Sequence, residues 1–394
     1  MRRSVLMLTL VLLFGVPLVG HASGTAEPSA QECSQREATF AALGRPSAGS
    51  LLLARVNPQQ APAVTQVQPD VYVVRYGDTL SRIAARYNIS LRTLMDANQL
   101  QNSNLIFIGQ RLYIPGVTSV PSVVPALPAP LEAAWIEGEV VQGEAAQIWL
   151  KATSGTGVTG RLGEQVVPFY PYCNLLWGLV AFDALSDLPG SYSLTLNVRG
   201  ADGVIRPASV PLMLRAGSYP ASPMMRYPSD RQRLLDDKEL VRGENQKLNS
   251  IFAALPYSTP RWSGAFRLPL DSYVTNVFGY MGTQNGQRVG YHEGIDYRGR
   301  VGTPILAPAA GVVVVAETLT LRGGTIYIDH GGGVVTGYFH QSELLVRVGD
   351  TVNMGDMIGR VGATGLVTGP HLHWEMRVNG RWVNPNVLVR RSVP

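Results

Sequence analysis

The chain has 394 residues, a formal net charge of +5, two cysteines and six histidines. This length is enough for two to four domains. The charge is too small to indicate a nucleic-acid partner, and beyond the N-terminus no run is long and apolar enough to span a bilayer.

The N-terminus has the pattern of a secretory signal peptide. Two arginines after Met1 precede an apolar run over Val5–Val19, and small residues follow up to Ala22. We predict cleavage after Ala22, so that residues 1–22 are the signal peptide and no membrane span remains after its removal. An uncleaved anchor is the alternative, which the shortness of the run disfavours. Export would place the protein in the periplasm, or in the cell wall and extracellular space.

Residues 23–70 are rich in Ala, Pro, Ser and Gln and are predicted to be a flexible lead-in, with Leu51–Ala54 as a short helical exception. The segment contains Cys33, and the other cysteine of the chain is Cys173. In an exported protein these two could form one disulfide that ties the lead-in to the middle of the chain. Two free thiols are the alternative.

Residues 71–115 have the predicted order strand, helix, helix, strand. Side chains that can cap the two helices are Asp78 or Thr79, and Ser90. Several motifs resemble a LysM domain: Val73–Leu80, Ile83-Ala84, Asn98 and Gly109–Pro115. The resemblance implies binding of glycan that contains N-acetylglucosamine, such as peptidoglycan, in a groove between two loops. The candidate glycan-binding residues are Gly77, Asp78, Thr79, Asn104 and Ile106.

Residues 131–216 are predicted to form an all-β domain. Gly and Pro turns separate six strand-like runs: Trp135–Val141, Ala146–Thr153, Gln165–Phe169, Gly178–Phe182, Ser191–Val198 and Ala208–Leu214. Short strands at regular spacing are typical of a β-sandwich, which we predict to be immunoglobulin-like. Trp135, Trp149 and Trp177 are expected in its core rather than in a ligand site.

Two connecting segments flank this domain. Residues 116–130 contain four prolines and are predicted to be an extended, semi-rigid linker. Residues 217–261 are predicted to be a helical connector, whose helix spans 229–254 with Ser229 as its cap. We expect this helix to dock the middle domain onto the C-terminal one.

Residues 262–394 contain short β runs with many glycines and no long helical pattern: Val312–Ala316, Thr325–Ile328, Val334–Phe339, Met357–Val361 and Leu372–Val378. This pattern predicts a compact antiparallel β domain with its site in a groove. The whole chain is therefore predicted to be a multidomain, mainly β protein.

Five of the six histidines lie in this last third of the chain. Strand side chains alternate between faces, so His371 and His373 would share one face, and His292 and Asp296 would share another. Gly294, between the latter two, disfavours a helix. Zinc catalytic sites commonly use three protein ligands and leave a fourth position for water. The pattern therefore predicts a metal site with two histidines, one carboxylate and further histidines nearby; scattered surface histidines are the alternative.

The same region resembles the lysostaphin/LytM-type zinc peptidases over about residues 262–388. The motifs that carry the resemblance occur in order: Tyr291–Tyr297, Gly302–Gly311, Ile328–Gly331, Gly337–His340, Gly362–Gly365 and Thr368–Glu375. The resemblance implies one zinc ion per chain, held by His292, Asp296 and His373. It also implies that His340 and His371 are catalytic histidines that do not bind the metal.

Three neighbouring residues have less specific assignments. His330 is predicted to be a turn histidine, because three glycines follow it. Glu375 shares a strand face with His373 and is predicted to orient a histidine, with a general-base role as the less favoured alternative. Tyr291 lies next to the first histidine motif, where its hydroxyl could steady a reaction intermediate.

The resemblance implies a secreted, zinc-dependent peptidoglycan endopeptidase that hydrolyses amide bonds in cell-wall peptide cross-links. Peptide stems would bind at the zinc site, and glycan would bind at the LysM-like domain. One alternative is a non-catalytic LytM-type activator of another wall hydrolase, whose usual mark is the loss of metal ligands. Another is a purely glycan-binding wall protein, which leaves the histidine cluster unexplained. Nucleic acid is not an expected partner.

Overall fold

The computed structural model describes the following residues: 29–44, 71–74, 78–87, 89–98, 100, 102–103, 106, 111–114, 122–124, 127, 129–138, 140–219, 233–234, 236–284 and 287–394. The predicted signal peptide and the Leu51–Ala54 stretch lie outside them, as do Gly77 and Asn104. Among the described residues, no helix combines the length and the apolar character that crossing a membrane requires.

Helix α1, Ala30–Gly44, lies in the segment predicted to be a flexible lead-in, so that prediction is wrong for these residues. A disulfide between Cys33 and Cys173 joins α1 to the middle domain. The Arg36 guanidinium lies 4.2 Å from the centre of the Trp149 ring. The two cysteines are 140 residues apart in the chain, so the local composition gives no sign of the contacts that hold this helix.

The LysM-like segment has the predicted strand, helix, helix, strand order: β1 Val71–Val73, α2 Leu80–Arg86, α3 Leu91–Ala97 and β2 Arg111–Tyr113. β1 and β2 pair antiparallel. The Thr79 hydroxyl caps α2 by accepting from the Arg82 amide, and Ser90 caps α3 in the same way. Apolar side chains of all four elements form one small core: Tyr72, Leu80, Ile83, Leu94 and Leu112.

The middle domain consists of two antiparallel sheets packed face to face. Its strands are β3 Ser122–Val124, β4 Leu131–Glu137, β5 Ala145–Ala152, β6 Gly157–Leu162, β7 Gln165–Pro168, β8 Tyr170–Tyr172, β9 Leu175–Ala181, β10 Gly190–Arg199 and β11 Ile205–Leu214. Within the described residues one sheet has the order β3-β4-β5-β9-β8 and the other β11-β10-β6-β7. Side chains of both sheets fill the space between them, with Ile148 and Val180 from one and Leu196 and Leu212 from the other. The predicted β-sandwich is present, and its immunoglobulin-like type stays a prediction.

Strand β3 lies inside the segment predicted to be a linker. Its three residues pair with β4, and Ser122 lies opposite Ile136. The prolines correctly indicated an extended chain, but an extended chain can also pair at a sheet edge. The linker prediction over 116–130 is therefore wrong for residues 122–124, which belong to the sandwich.

The sandwich packs directly on the C-terminal domain. Three tryptophans, correctly predicted to be core residues, are buried at this interface, on the outer face of the five-stranded sheet: Trp135, Trp149 and Trp177. Polar contacts cross the same interface. The buried Glu144 carboxylate accepts from Arg390 at 3.2 Å, and the Asn379 amide donates to the Leu179 carbonyl at 2.7 Å.

Helix α4, Lys238–Ala253, is capped by Asp237, whose carboxylate accepts from two backbone amides of the first turn. The predicted helix over 229–254 is therefore interrupted at Asp237, and its predicted cap Ser229 lies outside the described residues. Within those residues, the buried cluster around Leu248 contains side chains of the C-terminal domain and none of the sandwich. In the described part of the predicted helix, the packing seen is thus on the C-terminal domain, and the expected docking of the two domains is not observed there.

The C-terminal domain is built on one antiparallel sheet. Its elements are β12 Val274–Asn276, β13 Met281–Gln284, β14 Gln287–Tyr291, β15 Gly294–Arg298, β16 Pro304–Leu306, β17 Gly311–Leu319, β18 Gly323–Asp329, β19 Val334–Leu344, β20 Thr351–Val352, β21 Met357–Val361, β22 His371–Val378, β23 Arg381–Val383 and α5 Asn386–Arg390. In the described part of the chain the sheet follows the order β12-β15-β22-β19-β18-β17-β20, with β16, β21 and β23 paired beside it. All five runs predicted in this domain are strands, so the predicted antiparallel β fold is confirmed.

Candidate metal centre and active-site cleft

Asp296 and His373 lie opposite each other in the antiparallel pair β15–β22. His292 lies before β15, in the turn that follows β14, so the prediction that it shares a strand face with Asp296 is wrong. The backbone holds this turn, because the His292 amide donates to the Tyr280 carbonyl at 2.9 Å. The turn nevertheless brings the third side chain to the same point. The ligand atoms of His292, Asp296 and His373 all lie within 4.8 Å of one another.

Gly294 lets these side chains meet. A Cβ atom at this position would lie 2.7 Å from His373 Nε2 and 2.5 Å from the Trp374 carbonyl oxygen, which is closer than Cβ contacts in proteins allow. In the sequence this glycine indicated only that no helix forms here. In the structure it makes room for the His373 ring.

The three side chains direct their ligand atoms at one another. Asp296 Oδ1 lies 3.0 Å from His292 Nε2 and 2.9 Å from His373 Nδ1, and the two nitrogens are 3.0 Å apart. His292 Nδ1 lies 3.0 Å from the Val277 carbonyl oxygen. Because a carbonyl only accepts, Nδ1 carries the proton and Nε2 presents a lone pair. Two imidazole nitrogens and one carboxylate oxygen around one point are a donor set that suits zinc.

The charges of this group are strongly coupled. Burial raises the pKa of Asp296, but His292 and His373 outweigh that effect and hold this pKa well below its ordinary value. Burial lowers the pKa of His373, whereas hydrogen bonding and charge attraction from Asp296 and Glu375 raise it to about 9. Without a metal, the anionic Asp296 thus holds a proton on His373. A divalent cation would take the place of that proton.

His340 and His371 lie beside this group, with their ring centres 4.7 Å apart. His340 Nδ1 donates to the Thr364 carbonyl at 3.0 Å, and His371 Nδ1 donates to the Gly369 carbonyl at 2.8 Å. In its neutral form each ring therefore presents an unprotonated Nε2. His371 Nε2 lies 3.9 Å from Asp296 Oδ1. The nitrogens of His292 and His373 lie closer to that oxygen, at 3.0 and 2.9 Å.

The backbone of His340 is strained. Its φ of 63° lies in the left-handed region, which residues other than glycine rarely adopt and which occurs often at functional sites. The His340 amide donates to the Arg322 carbonyl at 2.9 Å, which holds this conformation. Burial, together with the charges of His371 and His373, lowers the pKa of His340 to about 3. The ring is therefore neutral near pH 7.

The five predicted site residues line one open cleft of about 540 Å³. The remaining lining residues come from β12, β15 and the loop before β22: Thr275, Asn276, Arg298, Leu366, Val367, Thr368, Gly369 and Pro370. Sequence reasoning missed Thr275, Asn276 and Arg298. A signal was present for Arg298, which follows Asp296 by two residues and so shares its strand face. The two β12 residues reach the cleft only because β12 pairs with β15, which the sequence does not reveal.

Glu375 lies behind His373 and does not line the cleft. Its carboxylate is buried, accepts from the Tyr327 hydroxyl at 2.8 Å, and lies 3.7 Å from His373 Nε2. Phe339 stacks on the same imidazole, with ring centres 4.9 Å apart. These contacts fix the His373 ring with Nδ1 toward Asp296, which supports the orienting role predicted for Glu375. A general base must reach the reacting proton, so the base alternative lacks support.

His330 and Tyr291 have contacts outside the cleft. His330 follows β18 directly and is completely buried; Nδ1 donates to the Ala310 carbonyl at 2.8 Å, and Nε2 lies 2.8 Å from the Thr336 hydroxyl. It is therefore a core residue rather than a simple turn residue. The Tyr291 hydroxyl donates to the Asp183 carboxylate of the sandwich, so a role for it at the reaction centre lacks support.

The described glycan-binding candidates have structural contacts in the LysM-like domain. Asp78 accepts from the Tyr72 hydroxyl at 2.7 Å, and Thr79 caps α2. Ile106 packs partly buried against the small core. The other two candidates, Gly77 and Asn104, lie outside the described residues. The assignment of these five residues to a glycan groove remains a proposal.

Comparisons with known proteins divide the chain in the same way. The model of peptidase family M23 matches residues 290–385, and the model of the LysM domain matches residues 72–115. Among curated proteins, the peptidoglycan DD-endopeptidase ShyA of Vibrio cholerae is 42% identical over 111 residues, which are 27% of this chain and 26% of ShyA. The peptidoglycan DD-endopeptidase ShyC of the same organism is 44% identical over 97 residues, which are 25% of this chain and 22% of ShyC. The matched regions thus span about a quarter of the length of these relatives.

A solved structure also matches part of the chain. It is a variant of the catalytic domain of the prophage-encoded M23 protein EnpA from Enterococcus faecalis, which is 32% identical. The match covers 31% of this chain and 95% of that chain, with a TM-score of 0.28. The two resemblances predicted from the sequence are confirmed: residues 290–385 belong to peptidase family M23, and residues 72–115 are a LysM domain.

Proposed function

We propose that this chain is a zinc-dependent peptidoglycan endopeptidase that hydrolyses amide bonds in the peptide cross-links of the cell wall. The observation that carries the proposal is the convergence of His292, Asp296 and His373 in an open cleft, with two further histidines beside them. The M23 family match supports a peptidase. The substrate is supported by the names of two relatives, both of them peptidoglycan DD-endopeptidases.

The residues present fit a zinc ion. His292 Nε2, Asp296 Oδ1 and His373 Nδ1 would hold it, since each directs its ligand atom to the same point. Zinc, when bound, supplies a Lewis acid and lowers the pKa of water to about 7. The buried Glu375 and the stacked Phe339 keep the His373 ring in the orientation that this site requires.

His340 and His371 move the proton in this proposal. Backbone carbonyls hold both Nδ1 protons, so each Nε2 can accept a proton from the attacking water and return it to the departing amide nitrogen. A protonated ring also stabilises the negative charge that develops on the carbonyl oxygen.

We also propose that the protein is exported, to the periplasm or to the cell wall and extracellular space, and that its LysM domain binds glycan containing N-acetylglucosamine. The pattern of residues 1–22 supports export, and a disulfide between Cys33 and Cys173 is typical of exported proteins. Glycan binding would raise the concentration of the peptidase domain near its cross-links.

A non-catalytic activator of another wall hydrolase is less well supported. Such proteins are marked by the loss of metal ligands. Here the three expected ligands and the two further histidines are all present, and all five line one cleft.

Digestion of purified sacculi by the zinc-loaded full-length protein tests the proposal. We expect soluble fragments whose masses show hydrolysed cross-link amides, and at least about 100-fold slower release from a His371→Ala protein. Absence of fragments from a protein that holds its zinc would contradict the proposal. Stimulation of a second, added hydrolase without any fragments from this protein alone would favour the activator.

A further inference from the structure

Arg298 occupies a defined place beside the reacting groups. It follows Asp296 by two residues on β15, so the two side chains share a strand face about 7 Å apart along the strand. In the antiparallel pairing with β22, Arg298 lies directly opposite His371, as Asp296 lies opposite His373. Opposite residues in such a pair are about 5 Å apart. The Arg298 side chain therefore lines the cleft next to His371. The pair Arg298–His371 lies two residues along the strands from the pair Asp296–His373.

Among the residues that the structure describes, none pairs with the charge of Arg298. Apart from the histidines, the cleft is lined by two charged residues, Asp296 and Arg298, and two histidines already engage the Asp296 carboxylate. Arg298 is exposed, and within the described part of the chain its guanidinium makes no ion pair or side-chain hydrogen bond. A guanidinium is always charged and offers a planar set of donors that matches a carboxylate. The cleft thus presents an unpartnered cation beside the proposed proton carriers.

We infer that Arg298 binds a free carboxylate of the substrate and selects peptides that carry it next to the scissile amide. This inference rests on the proposed function and names its substrate class. In a cross-link whose amide nitrogen is attached to a carboxylate-bearing carbon, that carboxylate lies two bonds from the nitrogen. This carboxylate would face Arg298 when the scissile carbonyl lies beside the three proposed zinc ligands and the amide nitrogen faces His371. A bridge of glycines has no carboxylate at this position.

The test compares two soluble cross-linked peptides that are identical except at one group. One carries a carboxylate on the carbon attached to the scissile nitrogen, and the other carries a carboxamide there. We expect the parent protein to have a kcat/KM about 10- to 100-fold higher for the carboxylate peptide, as a charge-assisted hydrogen bond commonly provides. Arg298→Gln should lose this preference, because its kcat/KM for the carboxylate peptide should fall toward its value for the carboxamide peptide. Arg298→Lys, which keeps the charge but not the planar donors, should fall between them.

Arg300→Gln is the matched control. Arg300 is also exposed and follows Arg298 by two residues, but it does not line the cleft. It should keep the parent preference. Zinc content and melting temperature should be the same in all four proteins. The inference is overturned when the parent does not discriminate between the peptides, or when Arg298→Gln loses activity equally on both.

Failure of the proposed function has a different signature. If the parent hydrolyses neither peptide, the endopeptidase proposal fails, and calorimetric binding of the same two peptides then decides the role of Arg298. Tighter binding of the carboxylate peptide by the parent, abolished in Arg298→Gln, would support the inference. Equal binding of both peptides would overturn it.

Discussion

The Glu244 carboxylate of α4 accepts a hydrogen bond from Arg322 Nη1 at 2.7 Å, and this nearly buried ion pair joins the helix to the turn that supports His340. The same carboxylate accepts from the Leu321 amide at 3.0 Å. In turn, the Arg322 carbonyl accepts from the His340 amide, and the Leu321 carbonyl accepts from the Leu366 amide at 2.8 Å. One helix residue outside the M23 match therefore supports both a proposed proton carrier and a loop of the cleft.

We predict that Glu244→Gln lowers hydrolysis more than it lowers zinc content. Removing one charge from a buried pair commonly costs about 3 kcal/mol of stability, and a small displacement of a reacting group can cost up to about 100-fold in rate. The three proposed ligands are not touched, so zinc should remain. Melting temperature, zinc content and kcat on a soluble cross-linked peptide are the measurements.

Glu317→Gln is the control for this prediction. Glu317 pairs with Lys247 of the same helix, but both side chains are at least one-third exposed, and such pairs contribute about 1 kcal/mol or less. We expect its activity and melting temperature to stay near the parent values. Equal losses in Glu244→Gln and Glu317→Gln would show that the helix matters only for overall stability.

A second prediction concerns the metal. We expect about one zinc ion per chain, lost when His292, Asp296 or His373 is changed to Ala, because two remaining donors do not hold a catalytic zinc ion. Metal analysis after dialysis measures this directly. A His373→Ala protein that keeps its full zinc content would remove that residue from the ligand set.

A third prediction separates metal binding from proton transfer. His340→Ala and His371→Ala should keep most of their zinc and lose hydrolysis by about 100- to 10,000-fold, which is the usual contribution of general acid–base help. Neither histidine is among the three proposed ligands, so replacing it should leave the geometry of those ligands intact. Parent-level turnover of sacculi by either protein would show that its assigned role is wrong.

Local pattern and strand periodicity predicted much of this molecule. The alternation rule correctly placed His371 and His373 on one strand face, and glycine-rich β runs predicted the antiparallel sheet. The features that were missed depend on residues distant in the chain. Helix α1 depends on a disulfide to Cys173, and the position of His292 depends on a turn tied to Tyr280. The support of His340 from α4 depends on Glu244 and Arg322, which are 78 residues apart in the chain, and the sequence pattern gives no sign of this contact.

A fourth prediction concerns pH and the buried His330. Burial lowers its pKa from the ordinary 6.5 to about 4 in the folded protein. Between these values the unfolded chain binds a proton that the folded protein does not. The neutral, buried imidazole therefore contributes to the free energy of unfolding above pH 6.5. This contribution is lost as the pH falls from 6.5 toward 4, and the total loss is roughly 3 kcal/mol.

Urea unfolding of the parent and of His330→Asn at several pH values, with chelator in every sample, isolates this effect. The asparagine amide can still donate to the Ala310 carbonyl but does not titrate. We expect the parent to be the more stable protein at pH 7, by a margin that shrinks as the pH falls to 4. A margin independent of pH would mean that His330 does not titrate as stated.

The last prediction concerns targeting by the LysM domain. Deletion of residues 71–115 should weaken retention on insoluble peptidoglycan and leave cleavage of a small soluble cross-linked peptide nearly unchanged. The domain has its own core, and none of its described residues lines the cleft. The segments on its two sides are held on the sandwich independently, α1 by the Cys33–Cys173 disulfide and β3 by pairing with β4. A bound glycan module raises the local concentration of the peptidase on the polymer, and that advantage does not exist for a short peptide in solution.

Pull-down on sacculi and the soluble-peptide assay, with the same two proteins, measure both effects. Equal pull-down would show that the LysM domain does not anchor the enzyme, whereas equal losses in both assays would show that it supports the fold of the peptidase domain instead.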